Sequence, residues 1–146
     1  MKKIAYAWLS IAFTLATLIF AAEFKSYPGS KVDEEATKDA SKAAAAAGAD
    51  LKATVYTTSD SFEKVALFYK GIGKEYLMPR ASGTAGKPKK REGYDLWEAY
   101  FILDGANDLA GSKLWVKVQR PYVGMPSGAN SAAVRDVTAI VVTQKK

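Results

Sequence analysis

The chain has 146 residues, 49% of them hydrophobic and 25% charged, the composition of one globular domain. It contains no cysteine and no histidine, which excludes disulfides, thiolate nucleophiles, Ser-His-Asp and Cys-His catalysis, HExxH metal sites and the usual near-neutral proton shuttle. The formal charge is +6; Lys2 and Lys3 account for two of the 21 Lys and Arg residues, leaving 19 against 15 Asp and Glu, a mildly basic balance that argues only weakly for an anionic partner.

The first stretch, MKKIAYAWLSIAFTLATLIFAAEFK, has two lysines and then 19 uncharged residues, 4–22. That layout reads as a Sec-type export signal ending at Ala21 or Ala22. Cleavage after Ala21 puts Ile19 three positions before the cut, and cleavage after Ala22 puts Phe20 there, a poor fit. A second reading therefore stays open: at about 1.5 Å per residue the run just spans a bilayer of about 30 Å as an uncleaved anchor. Lys2 and Lys3 then stay inside. Membrane contact belongs to that reading alone. Both readings place the remainder in the periplasm or outside the cell.

The next segment, 23–50, is extended through a Pro28-Gly29 turn and then runs as VDEEATKDASKAAAAAGAD. Alanine loses no side-chain entropy in a helix, and Asp33, Glu34 and Glu35 suit a helix start. Gly48 is a natural stop. The apolar positions are Val32 and alanines, so this helix buries little and is expected to be peripheral; a low-complexity linker is the alternative. In LKATVYTT, Leu51, Ala53, Val55 and Thr57 alternate with Lys52, Thr54 and Tyr56, a half-buried strand. In TTSDSFEKVALFYKGIG, Ser59 or Asp60 is the expected cap, with Asp60 and Glu63 spaced as a capping box. Phe62, Val65, Ala66, Tyr69 and Ile72 form one stripe, with Phe68 beside it. Gly71 and Gly73 end the helix, and Pro79 prevents continuation.

Residues 81–95 read as a long polar loop. Three strands follow. The first puts Trp97, Ala99, Phe101 and Leu103 on one face and Glu98, Tyr100 and Ile102 on the other. The second turns Leu114, Val116 and Val118 inward and Lys113, Trp115, Lys117 and Gln119 outward. In the third, Val137, Ala139 and Val141 alternate with Thr138, Ile140 and Val142. Short connections favour an antiparallel meander. The expected fold is α+β: a two-layer domain, 51–146, with a four-stranded, mainly antiparallel sheet packed by one amphipathic helix, plus the peripheral alanine-rich helix.

The segments YPG at Tyr27, Pro28 and Gly29 and VYTTSDSFEKVALFYKG from Val55 to Gly71 resemble a pattern in small exported bacterial proteins of uncharacterised function. The resemblance implies an exported α+β domain and brings no catalytic residues. Many such proteins look like lipoproteins, an attachment that the lack of cysteine excludes here.

Two surfaces are candidates for binding. The basic loop with Lys87, Lys89, Lys90 and Arg91 attracts phosphate, anionic glycan or lipid heads by charge, or is simply a solvated loop. Tyr100, Lys113, Trp115 and Lys117 put an aromatic beside amines, suited to a sugar or a small organic anion, unless the alanine-rich helix or the N-terminal segment covers them. Asp104, Asn107 and Asp108 lack the spacing of a calcium loop and read as a turn. Glu98, Asp95 and Asp104 are the sheet-associated carboxylates, and no spacing singles out a hydrolytic pair. No cofactor or metal is expected, and no nucleic-acid signature is present. The sequence favours a non-enzymatic envelope domain that binds an anionic or glycan ligand or a protein partner. A membrane-tethered or self-associating subunit is the alternative, and a His-free hydrolase is a lesser one. Oligomeric state is left open.

Overall fold

The computed structural model describes residues 22–48, 50–124 and 133–146. Residues 1–21, nearly all of the expected export or anchor segment, lie outside the described residues. Among the described residues no helix is long and apolar enough to cross a membrane.

The elements in chain order are β1 (Lys31–Val32), α1 (Glu34–Ala47), β2 (Leu51–Thr58), α2 (Phe62–Ile72), β3 (Lys74–Tyr76), β4 (Lys89–Arg91), β5 (Tyr94–Ile102), β6 (Leu114–Arg120), β7 (Tyr122–Val123), β8 (Val134–Arg135) and β9 (Thr138–Lys145). The fold is mixed α+β. Its main sheet has seven strands in the order β1-β2-β9-β6-β5-β3, with β4 also paired to β5. Strands β7 and β8 form a separate hairpin, and every pairing is antiparallel. The four expected strands are its long members. The additional β1, β3 and β4 are two or three residues each, too short for alternation to show. One reading is thereby corrected: residues 89–91 are a strand rather than loop; the expected alanine-rich helix is α1, stopped at Gly48, and the linker alternative falls away.

The sheet is apolar on both faces, so the two-layer expectation also changes. Register places Tyr56 opposite Ile140, and Ile140 opposite Val118, which pairs with Ala99. That row packs under α2 together with Phe101, Val116 and Val142. Helix α2 buries Phe62, Val65, Ala66 and Tyr69 on it, the one-face spacing of an amphipathic helix. Ile72, expected on the stripe, is 42% exposed, because the helix ends there at Gly73. The cap is Ser61, whose hydroxyl accepts from the Lys64 N–H. Asp60, the expected cap, instead accepts the Tyr27 hydroxyl at 2.6 Å.

The opposite face of β2 and β9 carries Val55, Ala139 and Val141, and these meet Ala36 and Ala40 of α1. Leu51, Ala53 and Val55 therefore face away from α2, contrary to a single-core reading. Helix α1 also guards an edge. Thr37 Oγ1 accepts from the Val55 N–H at 2.9 Å and donates to the Val55 carbonyl, and Ser41 donates to the Ala53 carbonyl at 3.2 Å. These are the groups that β2 turns away from β9. The far edge uses the same device: Ser82 Oγ donates to the Glu98 carbonyl and accepts its N–H, each at 2.8 Å, in the gap between β3 and β4. Unpaired edges invite association with other chains, and native proteins cover them.

An N-terminal strap closes the α2 side. Phe24 lies 5.1 Å from Tyr56 and Tyr27 5.3 Å edge-on to Phe68, centroid to centroid. The buried Tyr69 hydroxyl donates to the Lys25 carbonyl at 3.1 Å, and burial pushes its phenol pKa well up.

Ser82→Ala leaves the Glu98 N–H without its partner and is expected to cost about 1–3 kcal/mol; Thr37→Val, which removes the Val55 partner while keeping shape, is expected to cost a similar amount. Urea denaturation midpoints read both, and values equal to wild type would show that the edges are not held by these hydroxyls.

Acid stability follows from two carboxyls. Burial opposes ionisation of Asp33 and Asp104. Hydrogen bonds outweigh it: to Asp33 from the Ala36 N–H and Arg135, and to Asp104 from the Lys113 N–H, Ser112 and the Ala106 N–H. Both pKa values lie below the ordinary carboxylate range. A depressed pKa stabilises the fold above the unfolded-state value, roughly pH 4, and that contribution is lost as pH falls through the folded-state value. Asp104→Asn should flatten the acid limb of a stability curve below about pH 4; an acid limb identical to wild type would exclude the linkage.

Candidate functional site

A concave surface lies around Trp97, in the first half of β5. Two open clefts meet there. One, about 440 Å³, lies between the first turn of α2 (Ser61, Phe62, Glu63) and the loop Thr84, Ala85 and Gly86. The other, about 400 Å³, lies between the β4–β5 turn (Gly93, Tyr94, Asp95) and Pro121, Val134 and Asp136. Trp97 and Arg120 line both.

The floor is aromatic. Trp97 is half-buried, with Phe62 beneath it at 5.6 Å between centroids. The ridge is Arg120, whose guanidinium is consumed by the fold. Its Nη1 donates to the Asp60 carbonyl at 3.1 Å and to Thr138 Oγ1 at 3.0 Å, and its Nη2 pairs with the Asp136 carboxylate at 3.0 Å. Five donors in a rigid fork suit Arg to such a clamp. It ties the β2–α2 turn to the start of β9, and so fixes the α2 N-terminus over Trp97.

The loop 82–86 is constrained rather than floppy. Gly83 sits at φ +62°, and a Cβ on Gly86 would fall 1.8 Å from the Ser82 carbonyl oxygen, so neither position takes a side chain without rearrangement. The Thr84 N–H donates to Glu75 at 2.8 Å. Its Oγ1 is buried with no partner among the described residues. Such an orphan in a cleft wall is a cost that calls for an explanation.

The residues singled out from the sequence are placed elsewhere. Tyr100 and Lys117 are direct cross-strand partners, and Trp115 lies opposite Ile102 on the same face. Lys117 is neutralised by Glu98 at 2.9 Å and sits 5.9 Å from the Tyr100 ring centroid. Burial raises the Tyr100 pKa, and the Lys117 charge opposes that. Trp115 is half-buried and Lys113 is exposed just before β6. Helix α1 packs on β2, not over β6. In the basic segment, Lys87 and Arg91 are exposed, Lys89 is half-buried, and Lys90 pairs with Asp95 at 2.8 Å. Register puts Lys89 and Arg91 on the Tyr100 face of the sheet, opposite Leu96 and Tyr94 near the start of β5, and Tyr100, Trp115 and Lys117 further along that face toward its end. Asp104 is saturated by the donors named above, and Asp108 accepts from the Gly111 N–H at 2.7 Å, both in the manner of turn residues.

Sequence reasoning did not mark these clefts because Trp97 shares its strand face with the core residues Ala99 and Phe101, and it does pack against that core. The usable signals were its position at the strand's first turn and the adjacent cluster of small turn formers, SGTAG. Arg120 gave no signal. Comparison with protein-family models, with curated proteins and with solved structures finds no match.

Thr84→Val removes the orphan hydroxyl at nearly constant shape. The denaturation midpoint is expected to equal or exceed wild type; a loss of more than about 1 kcal/mol would show that the hydroxyl has a partner.

Proposed function

We propose that this chain is an exported, non-enzymatic domain of the cell envelope that binds a carbohydrate ligand at the Trp97 clefts. The observation that carries the reading is a half-buried indole between two open clefts, rimmed by hydroxyls and carboxylates, with the neighbouring guanidinium wholly engaged by the fold. A flat apolar surface with polar groups around it is the complement of a sugar ring, which offers one apolar face and an equator of hydroxyls. Glu63 has no ion pair among the described residues, and Asp95 and Asp136 are paired with Lys90 and Arg120, so the rim offers oxygen acceptors and no free cation, and a neutral ligand fits better than an anionic one. The cations that the sequence offered to an anion are reduced in number by the pairs Lys117–Glu98 and Lys90–Asp95. The absence of histidine and cysteine supports a role in binding over catalysis. The export layout of residues 1–22 and the resemblance to exported bacterial domains support the envelope as its location.

A glycan array probed with the full chain and with two variants tests this. Trp97→Ala should weaken saturable binding to neutral glycans by about tenfold or more, the size of a lost stacking contact, while Trp115→Ala leaves it unchanged. Binding confined to polyanions and abolished by changing Lys89 and Lys90 would move the site to the β4 hairpin and overturn the reading.

A further inference from the structure

The two clefts adjoin: Trp97 and Arg120 line both, with the α2 first turn bordering one and the β4–β5 turn the other. We infer that they form a single groove with two consecutive subsites for a linear neutral glycan. The inference rests on the carbohydrate reading above and adds the form of the ligand.

Three observations carry it. First, both clefts are open rather than enclosed, at about 400 and 440 Å³ each. An enclosed pocket buries one small ligand on most sides; two open hollows in line accept a chain that continues beyond each. Second, each hollow has its own polar rim. Glu63 and the Thr84 loop border one, and Tyr94 and Asp95 border the other. Each therefore meets the hydroxyls of its own sugar unit, with the Trp97 indole between them as the shared stacking surface. Third, the walls are held by backbone-level ties. The β4–β5 pairing fixes one side, Ser82 and Gly83 on the Glu98 backbone fix the other, and Arg120 holds the ridge. A groove preorganised in this way spends little of its binding free energy on ordering.

A peptide is the competing macromolecule. An extended peptide normally gains affinity by adding a strand to a sheet edge. Here the stretches of β2 and β5 that β1, β3 and β4 leave uncovered are filled by Thr37, Ser41 and Ser82, and no residue of the outer strands β1, β3 and β4 lines either cleft. The groove thus favours a ligand recognised through hydroxyls over one recognised through a free strand edge.

Calorimetric titration of the full chain with β-1,4-linked glucose and N-acetylglucosamine series, as monosaccharide, disaccharide and tetrasaccharide, tests the inference. One tetrasaccharide should bind per chain, about tenfold or more tighter than the monosaccharide, because the second unit adds contacts without a second association cost. Tyr94→Ala and Glu63→Ala, at opposite ends, should each remove most of that gain, while Trp115→Ala, outside both clefts, leaves the affinity for every length unchanged. Asp95→Ala serves in place of Tyr94→Ala if circular dichroism shows that variant misfolded. Equal affinity for short and long oligomers, or two molecules bound independently per chain, overturns the groove, while Trp97-dependent binding in the same titrations keeps the carbohydrate reading. No binding of either series, or displacement of the oligomer by a lysine-rich peptide of similar length, overturns the ligand class itself.

Discussion

The packing of α2 on the sheet is the contact from which the rest of the molecule takes its position. Phe62, Val65, Ala66 and Tyr69 are at most 6% exposed and rest on Phe101, Val116, Val118 and Ile140, themselves fully covered. Burial of each large side chain is worth roughly 1.5–3 kcal/mol. Tyr69 brings a hydroxyl into that interior, and an unpaired buried hydroxyl would offset much of the gain. The Lys25 carbonyl removes the penalty. The N-terminal strap is therefore part of the core's hydrogen bonding, and Phe24 and Tyr27 add aromatic contacts along it. The same geometry explains why Asp60 does not cap the helix. Its carboxylate is taken by Tyr27 and its carbonyl by Arg120 and Thr138, so the cap passes to Ser61.

Edge protection has a single chemical motif. At β2 and again at β5, a short hydroxyl side chain from outside the sheet stands in for the missing strand. A hydroxyl both donates and accepts, so one Ser or Thr satisfies a residue's N–H and carbonyl together. This gives α1 its reason to exist. It buries Ala36 and little else, and hydrophobic burial alone would not hold it. Thr37 and Ser41, one turn apart on its inner side, bind it to the strand edge instead.

What the sequence made legible was what period and composition encode. The α2 stripe up to Tyr69, the long strands, the α1 stop at Gly48 and the inward set Leu114, Val116 and Val118 are where their spacing puts them. Elements of two or three residues carry no period, so β1, β3 and β4 were invisible. The second core under α1 was hidden for another reason. Ala53, Val55 and Ala139 are small, and an alternating strand cannot say which of two apolar faces meets which helix. The site was hidden because it depends on residues distant in the chain. Arg120 reaches Asp60, 60 positions back in the chain, and Thr138, 18 positions further on. No local pattern marks a side chain whose partners are set by topology. Tyr100 and Trp115 attracted notice as outward aromatics, yet their neighbour Lys117 already has a counter-ion.

Charge decides between the two tryptophans as ligand platforms. The chain is basic overall, but net charge acts at long range and is screened within about 10 Å at ordinary salt, whereas a ligand feels the groups within contact distance. Around Trp97 those groups are the carboxylates of Glu63, Asp95 and Asp136, of which Asp95 and Asp136 are paired with Lys90 and Arg120. An anion brought there loses hydration without gaining a free cation, a cost that grows as the cleft closes around it. A neutral polyhydroxyl compound has no charge to desolvate, and carboxylate acceptors give its hydroxyls charge-assisted hydrogen bonds stronger than those between neutral groups. Near Trp115, by contrast, Lys117 is held by Glu98 and Tyr100, so a ligand would have to break an existing pair before making its own. On the proposed carbohydrate reading, the half-buried indole with the exposed Glu63 carboxylate beside it, which no ion pair among the described residues engages, is the better platform, and that is Trp97.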